Sequence, residues 1–147
     1  MKKIIVSLLI AIAGFGMANA DIYTLKRDKL PQPAQEMLNE YFPKAKVGMI
    51  KVDKHLLKKT DYDVKLVNGT KIEFNNAGKW TSVDCKTREV PAGLILKPIR
   101  RYVEKNCQGA KIVKIEKKST SFKIGLSDGI ELTFDRLGNF KKAEIDD

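Results

Sequence analysis

Residues 61–79 read DYDVKLVNGTKIEFNNAGK, and residues 121–139 read SFKIGLSDGIELTFDRLGN. A constant offset of 60 aligns the two stretches, so that Asn68-Gly69 corresponds to Asp128-Gly129 and the apolar positions coincide. Asn-Gly and Asp-Gly accept the positive φ values of a tight hairpin turn, and alternation of apolar and polar residues is typical of a half-buried strand. Each stretch therefore predicts a β-hairpin that leads into a further strand.

A proline-led apolar segment precedes each of these stretches. At an offset of 65, LPQPA at residues 30–34 aligns with ILKPI at residues 95–99, and apolar residues then recur at helical spacing. Pro33 and Pro98 suit the first turn of a helix, where the missing N–H costs nothing. Four strands are predicted after each helix, at residues 47–53, 62–67, 70–74 and 80–85, and again at 111–117, 121–127, 130–135 and 140–145.

The fold class predicted from this duplication is α+β. Two tandem αββββ repeats, at about residues 30–85 and 90–146, form a largely antiparallel sheet with the helices packed on one face. No nucleophile or base is held in register between the halves, which favours a scaffold over a catalytic site. The other face of the sheet, named the open face here, is predicted to carry Asp63, Lys65, Lys71, Glu73, Lys123, Ser127, Glu131 and Thr133.

Residues 1–20 have the three parts of a secretory signal peptide: two lysines, an apolar run, and Ala18-Asn19-Ala20 before Asp21. The apolar run is shorter than the ~20 residues that span a bilayer. The first cysteine is Cys85, so none is available for lipidation at the cleavage point. We expect a single mature domain at residues 21–147 that is periplasmic or secreted, without stable membrane insertion.

The chain is basic, with a formal net charge of +10. Its lysines are scattered over nearly every predicted element, and aromatic residues do not alternate with them as they do on base-stacking surfaces. A nucleic-acid partner is therefore not expected. An anionic glycan, a lipid head group or another acidic ligand remains an alternative to a protein partner.

The candidates for catalysis and metal binding are few. His55 is the only histidine, and its nearest carboxylates, Asp53, Asp61 and Asp63, do not follow the spacing of a zinc or calcium motif. A hydrolytic nucleophile would have only His55 as its base. We predict a protein that is not an enzyme, with no catalytic residue, no metal and no cofactor.

The two cysteines, Cys85 and Cys107, allow two interpretations. An oxidising compartment favours a disulfide. In the aligned halves, however, Cys85 corresponds to Ile145 and Cys107 to Phe42, so both thiols occupy apolar positions and suit small core residues. The sequence leaves both possibilities open.

The repeated motifs resemble the PepSY-like periplasmic proteins over roughly residues 30–146. The resemblance rests on the proline-led helix, the Tyr/Phe-x-Val/Ile-x-Leu strand, the Asn/Asp-Gly turn, and Phe-Asn/Asp-x-x-Gly-Lys/Asn-Trp/Phe, each present twice. It implies a fold similar to that of the beta-lactamase inhibitor proteins, in which a sheet of two αββββ repeats grips an enzyme. It also implies inhibition or regulation of an enzyme by binding, and it transfers no functional residue to this chain.

The preferred docking segment is the loop at residues 53–60. It is five residues longer than its counterpart in the second half, and added loop length is tolerated at small entropic cost. Val67 and Gly125 are the least polar positions of the predicted open face, whereas the loop places Leu56 and Leu57 between lysines. These leucines suit either contact with a partner or closure of the edge of the core. The candidate binding residues are His55, Leu56, Leu57 and Lys58 in the loop, and Lys65, Lys71, Lys123 and Glu131 on the open face.

We predict that the exported protein begins at Asp21, because small residues at positions 18 and 20 match the requirement of signal peptidase. Intact-mass measurement of protein from the periplasmic fraction checks this. A mass that includes Met1 would contradict the assignment.

Overall fold

The computed structural model describes residues 21–54 and 60–145. They form a nine-stranded antiparallel sheet, with strands in chain order, and two α-helices. The helices are α1 (Gln32–Tyr41) and α2 (Lys97–Asn106). The strands are β1 (Ile22–Thr24), β2 (Val47–Asp53), β3 (Asp61–Leu66), β4 (Lys71–Phe74), β5 (Trp80–Asp84), β6 (Ile112–Lys117), β7 (Ser121–Leu126), β8 (Ile130–Asp135) and β9 (Phe140–Ile145).

The chain order of the strands follows from short connections. Gly69 and Gly129 have φ values of +95° and +87° at the turns that join β3 to β4 and β7 to β8. The longer connection between β5 and β6 contains α2, yet these strands also pair, with Val83 opposite Ile115. One sheet therefore continues through the whole described chain.

Both helices begin with a proline in the first turn, as the sequence predicts. The core residues Ala34 and Leu38 of α1 are fully buried, and Ile99 and Val103 of α2 are buried in the same apolar cluster as the sheet. An α+β fold with an antiparallel sheet is confirmed. The core lies between the helices and one face of the sheet, which leaves the open face to solvent.

The two edges of the sheet differ. The predicted strand bounds from β2 to β9 agree with the structure to within one residue. No strand was expected before residue 47, but β1 pairs with β2 and forms one edge. At the other edge, all six residues of β9 are exposed.

The disulfide that the sequence allowed is absent, and both cysteines are free thiols. Cys85 is only 2% exposed, and its thiol lies in hydrogen-bonding contact with Thr70. Cys107 follows the last turn of α2 and packs against the core. Burial raises the pKa of both thiols, and each one fills an apolar position in its own half of the chain.

The turn before β9 contacts the start of α2 closely. Gly138 has a φ of +92°, and a Cβ atom built there would lie 2.9 Å from Cβ of Pro98. Gly109, which follows α2, has a similar φ of +84°, but a Cβ atom there would meet nothing within 4 Å. Substitutions at these two glycines therefore separate the free-energy cost of backbone strain from that of steric contact.

We predict that Gly109→Ala lowers the free energy of unfolding by about 1 kcal/mol, the cost of placing a Cβ in the left-handed region. Gly138→Ala should lower it by about 2 to 4 kcal/mol, because overpacking against Pro98 is added. Urea unfolding of both variants measures the difference. Equal losses would show that the contact with α2 does not constrain the turn.

Candidate functional site

The open face consists of two rows of side chains that follow the strand register across the sheet. The partners in each row lie directly opposite one another on neighbouring strands. One row contains Tyr23, Lys51, Asp63, Glu73, Ser82, Glu116, Lys123, Thr133 and Lys142. The other contains Met49, Lys65, Lys71, Asp84, Lys114, Gly125, Glu131 and Glu144.

The structure places four of the sequence-predicted binding residues on this face. Lys65, Lys71, Lys123 and Glu131 all belong to the two rows, and Lys123 Nζ lies 3.6 Å from a carboxylate oxygen of Glu131. The other four, in the loop after β2, lie outside the described residues: His55, Leu56, Leu57 and Lys58. The open face is therefore the candidate site that can be built from the structure.

One corner of the open face is apolar, whereas the expected surface had only Val67 and Gly125 as less polar positions among charged and hydroxyl side chains. Tyr23 is 56% exposed, Met49 is 41% exposed, and Leu25, two residues after Tyr23, is 62% exposed. We name these three residues the β1–β2 corner. Tyr23 lies on this face because it pairs with Lys51, and Met49 lies there because it pairs with Lys65. Soft and aromatic side chains of this kind are enriched at protein interfaces.

The sequence reasoning missed the β1–β2 corner because it assigned no strand to residues 22–24. The signal was present but short: Ile22 and Thr24 alternate with Tyr23 and Leu25 directly after the expected cleavage point. Three strand residues provide too few alternations to distinguish a strand from an extended tail. In the structure, pairing with β2 shows that residues 22–24 form a strand.

Next to this corner, the open face is acidic. Asp63 and Glu73 lie opposite each other on β3 and β4. Partial desolvation raises the pKa of Asp63, although Lys51 opposes that rise. Partial desolvation also raises the pKa of Glu73, and the negative charges of Asp63 and Glu116 raise it further.

These carboxylates surround a cavity of about 290 Å³ that is lined by Asp53, Asp61, Asp63, Glu73, Phe74, Asn75 and Thr81. At its edge, Lys51 Nζ lies 3.6 Å from Asp21 and 4.0 Å from Asp53, and these carboxylates raise the pKa of Lys51. Within residues 21–54 and 60–145, no group of three or more His, Cys, Asp or Glu side chains is arranged to hold a metal ion.

Two lysines follow Met49 in its row of the open face, one on β3 and one on β4. Lys65 and Lys71 lie directly opposite each other, and neither forms an ion pair in the part of the chain that the structure describes. Like charges in opposed positions destabilise a sheet. An anionic group placed over this pair would relieve that repulsion.

We predict that Glu73→Gln raises the free energy of unfolding at pH 7 by a few tenths of a kcal/mol, a small gain because solvent screens this carboxylate. A raised pKa in the folded state means that the charged form is disfavoured at neutral pH. The gain should disappear as the pH falls through the raised pKa to below the ordinary value of 4.5, where both states bind the proton. Urea unfolding at pH 7 and pH 4 measures it.

The control for this prediction is Glu104→Gln, which changes an exposed carboxylate on α2. The same measurements on this variant report the effect of removing one exposed carboxylate away from the open face. Destabilisation by Glu73→Gln at pH 7 would contradict the prediction.

Comparison with known proteins identifies the family. A family model described as "Putative beta-lactamase-inhibitor-like, PepSY-like" matches residues 60–142. No curated protein matches the chain. Neither α-helix in the described residues is long and apolar enough to cross a membrane.

Three solved structures share the fold. One, described as a "putative periplasmic protein of unknown function" from Bacteroides vulgatus, is 40% identical with a TM-score of 0.81, and the match covers 85% of this chain and 99% of that chain. A "putative calcium-regulated periplasmic protein" from Bacteroides thetaiotaomicron is 34% identical with a TM-score of 0.80, covering 84% and 96%. A further periplasmic protein from B. vulgatus, also described as putative, is 35% identical with a TM-score of 0.79, covering 87% and 99%.

These matches confirm the resemblance, and of the two locations expected from the sequence they support the periplasm. The chain is a periplasmic protein that belongs to the PepSY-like family.

Proposed function

We propose that this protein is a non-catalytic binding module that docks a protein partner on the open face of its sheet. The observation that carries the proposal is the β1–β2 corner, where a tyrosine, a leucine and a methionine are exposed together. Aromatic anchors that become desolvated in a complex supply most of the energy of a protein interface. The surrounding charged rows would form the polar rim that such interfaces have.

The partner that fits this surface has an apolar projection and carboxylates beside it. The projection would contact Tyr23 and Met49, and the carboxylates would lie over Lys65 and Lys71. The family description supports inhibition or regulation of a periplasmic enzyme as the outcome of docking. An enzyme is therefore the proposed class of partner.

The proposal includes the tandem-repeat architecture. The order of one helix followed by four strands occurs twice along the chain, and the sequence offset of 60 aligns β3 with β7 and β4 with β8. We infer that the halves are copies of one αββββ unit, as in the beta-lactamase inhibitor fold that the sequence resembles.

Site-specific photocrosslinking tests where the partner docks. A photoreactive phenylalanine derivative replaces Tyr23 or Met49 on the open face, and Glu36 or Glu104 on the exposed faces of the helices serves as the matched control. Irradiation of the intact periplasm should give a defined protein adduct from the open-face positions alone. Adducts from the helix positions alone would overturn the docking site.

We predict that Tyr23→Ser combined with Met49→Ser weakens binding of the purified crosslinked partner by on the order of 1 to 3 kcal/mol, as expected for interface anchors. The melting temperature should change little, because both side chains are exposed. Lys65→Ala with Lys71→Ala should mainly reduce the salt dependence of binding. Since one relative is described as calcium-regulated, each titration is run with calcium and with a chelator.

The rival function is binding of an anionic ligand by scattered surface lysines. It differs in its response to salt, since such binding fades as the screening length falls to ~8 Å near physiological ionic strength. An affinity that the double substitution leaves unchanged, and that disappears in moderate salt, would favour the rival.

A further inference from the structure

A second surface feature lies away from the β1–β2 corner, at the end of α1. It is an open cleft of about 530 Å³ between the end of this helix and the turn that joins β3 to β4. A backbone hydrogen bond of 2.8 Å, donated by Val67 N–H to Lys46 C=O, connects its two sides. We name it the α1 cleft, and its lining consists of Tyr41, Phe42, Pro43, Lys44, Ala45, Lys46, Val67, Asn68 and Arg88.

The lining of the α1 cleft combines apolar surface with positive charge. Lys44, Lys46 and Arg88 contribute cations, and no carboxylate belongs to the lining. None of these three cations forms an ion pair in the described part of the chain. Val67 is 69% exposed, so apolar surface lies beside these cations, and the nearby Glu40 carboxylate is hydrogen-bonded to Tyr41.

The second half of the chain provides an internal comparison. Its corresponding turn makes the same backbone hydrogen bonds: the residue after each helix donates to the residue four before it, and Ser127 N–H donates to Lys111 C=O at 2.8 Å. The side chains differ, because the aligned positions are Asn106, Cys107, Gln108, Gly109, Ala110, Lys111, Ser127 and Asp128. The turn itself therefore requires neither the aromatic residues nor the additional cation of the α1 cleft.

Arg88 makes the difference larger. It lies in the connection between the two halves, outside the aligned stretches, and it adds a third cation to the lining of the α1 cleft. Asp128 also places a negative charge where the first half has the neutral Asn68. The α1 cleft thus combines three cations with an apolar lining.

We propose that the α1 cleft binds an organic anion with an apolar body, of the chemical class of a medium-chain carboxylate. The apolar body lies against Tyr41, Phe42 and Val67, and the anionic group lies among the three cations. Ligand sites of this volume generally combine apolar lining with a few charged groups that orient the ligand. An inorganic anion would leave the apolar surface unused, whereas a cationic amphiphile would face three like charges.

Asn68→Asp is the most informative substitution. Asn68 Oδ1 accepts a hydrogen bond from Thr70 N–H at 3.0 Å, and Asp128 Oδ1 accepts the equivalent bond from Ile130 N–H at 3.1 Å. The turn therefore accommodates either side chain, and the substitution changes the charge of the cleft while preserving the hydrogen bond. Asp128→Asn is the matched control in the other half.

Isothermal titration of the full mature chain with decanoate, below its micellar concentration, tests the proposal. Saturable binding is expected, with Asn68→Asp and Lys46→Ala each weakening it by roughly three- to tenfold, as for a partly screened charge. Asp128→Asn and Lys111→Ala should leave the affinity unchanged. Urea unfolding of each variant establishes that the fold is intact.

Acetate and decyltrimethylammonium separate the two parts of the proposed ligand. Neither should bind measurably at the concentration that saturates the protein with decanoate. Comparable binding of acetate would overturn the need for an apolar body, and comparable binding of the ammonium would overturn the role of the cations. Decanoate binding that Asn68→Asp and Lys46→Ala leave unchanged would exclude the α1 cleft as its site.

Discussion

The pairing of β5 with β6 is the constraint on which the rest of the structure depends. Val83 and Ile115 face each other across this pair, and both are completely buried. Without this ladder, each half would be a four- or five-stranded sheet covered by one ten-residue helix, with its apolar face ending at an exposed edge. With it, buried residues from both helices and seven strands belong to one cluster, and the core is large enough for a domain of this length.

The faces of this sheet have separate roles because the helices occupy only one of them. The open face is stabilised by the strand ladders beneath it, so its side chains can vary without loss of core packing. This freedom explains how like charges can stand opposite each other at Lys65 and Lys71 and at Asp63 and Glu73 in a stable sheet. Surface positions that do not serve packing are where binding residues can accumulate.

Most of the fold could be predicted from sequence because local signals agree with one another. The Asn68-Gly69 turn fixes a hairpin register, and alternation on either side then fixes which residues are buried.

The location of the candidate site was harder to predict than the fold. Tyr23 faces solvent only because β1 pairs with β2, and that contact joins residues almost thirty positions apart. The α1 cleft likewise depends on how the end of a helix meets a distant turn, which periodicity does not encode.

The sequence also could not decide whether the two cysteines form a disulfide. The compartment favoured a bond between Cys85 and Cys107, whereas the aligned apolar positions favoured two packed thiols. In the structure both thiols are free, and Cys85 is enclosed by the core, where it contacts Thr70. Composition indicates what chemistry is available, but the three-dimensional neighbours determine whether it is used.

The exposed strand β9 leaves the sheet open at one side, with unpaired backbone groups along its outer edge. Such an edge can recruit a strand from another molecule and start lateral polymerisation. Lys141 and Lys142 are consecutive residues in the middle of β9, and their side chains remain 60% and 59% exposed although they pair with Asp135 and Glu144. A second β9 aligned against them would have to bring lysines together and strip water from them. The lysines of this edge therefore oppose the addition of a further strand at the side where the sheet is open.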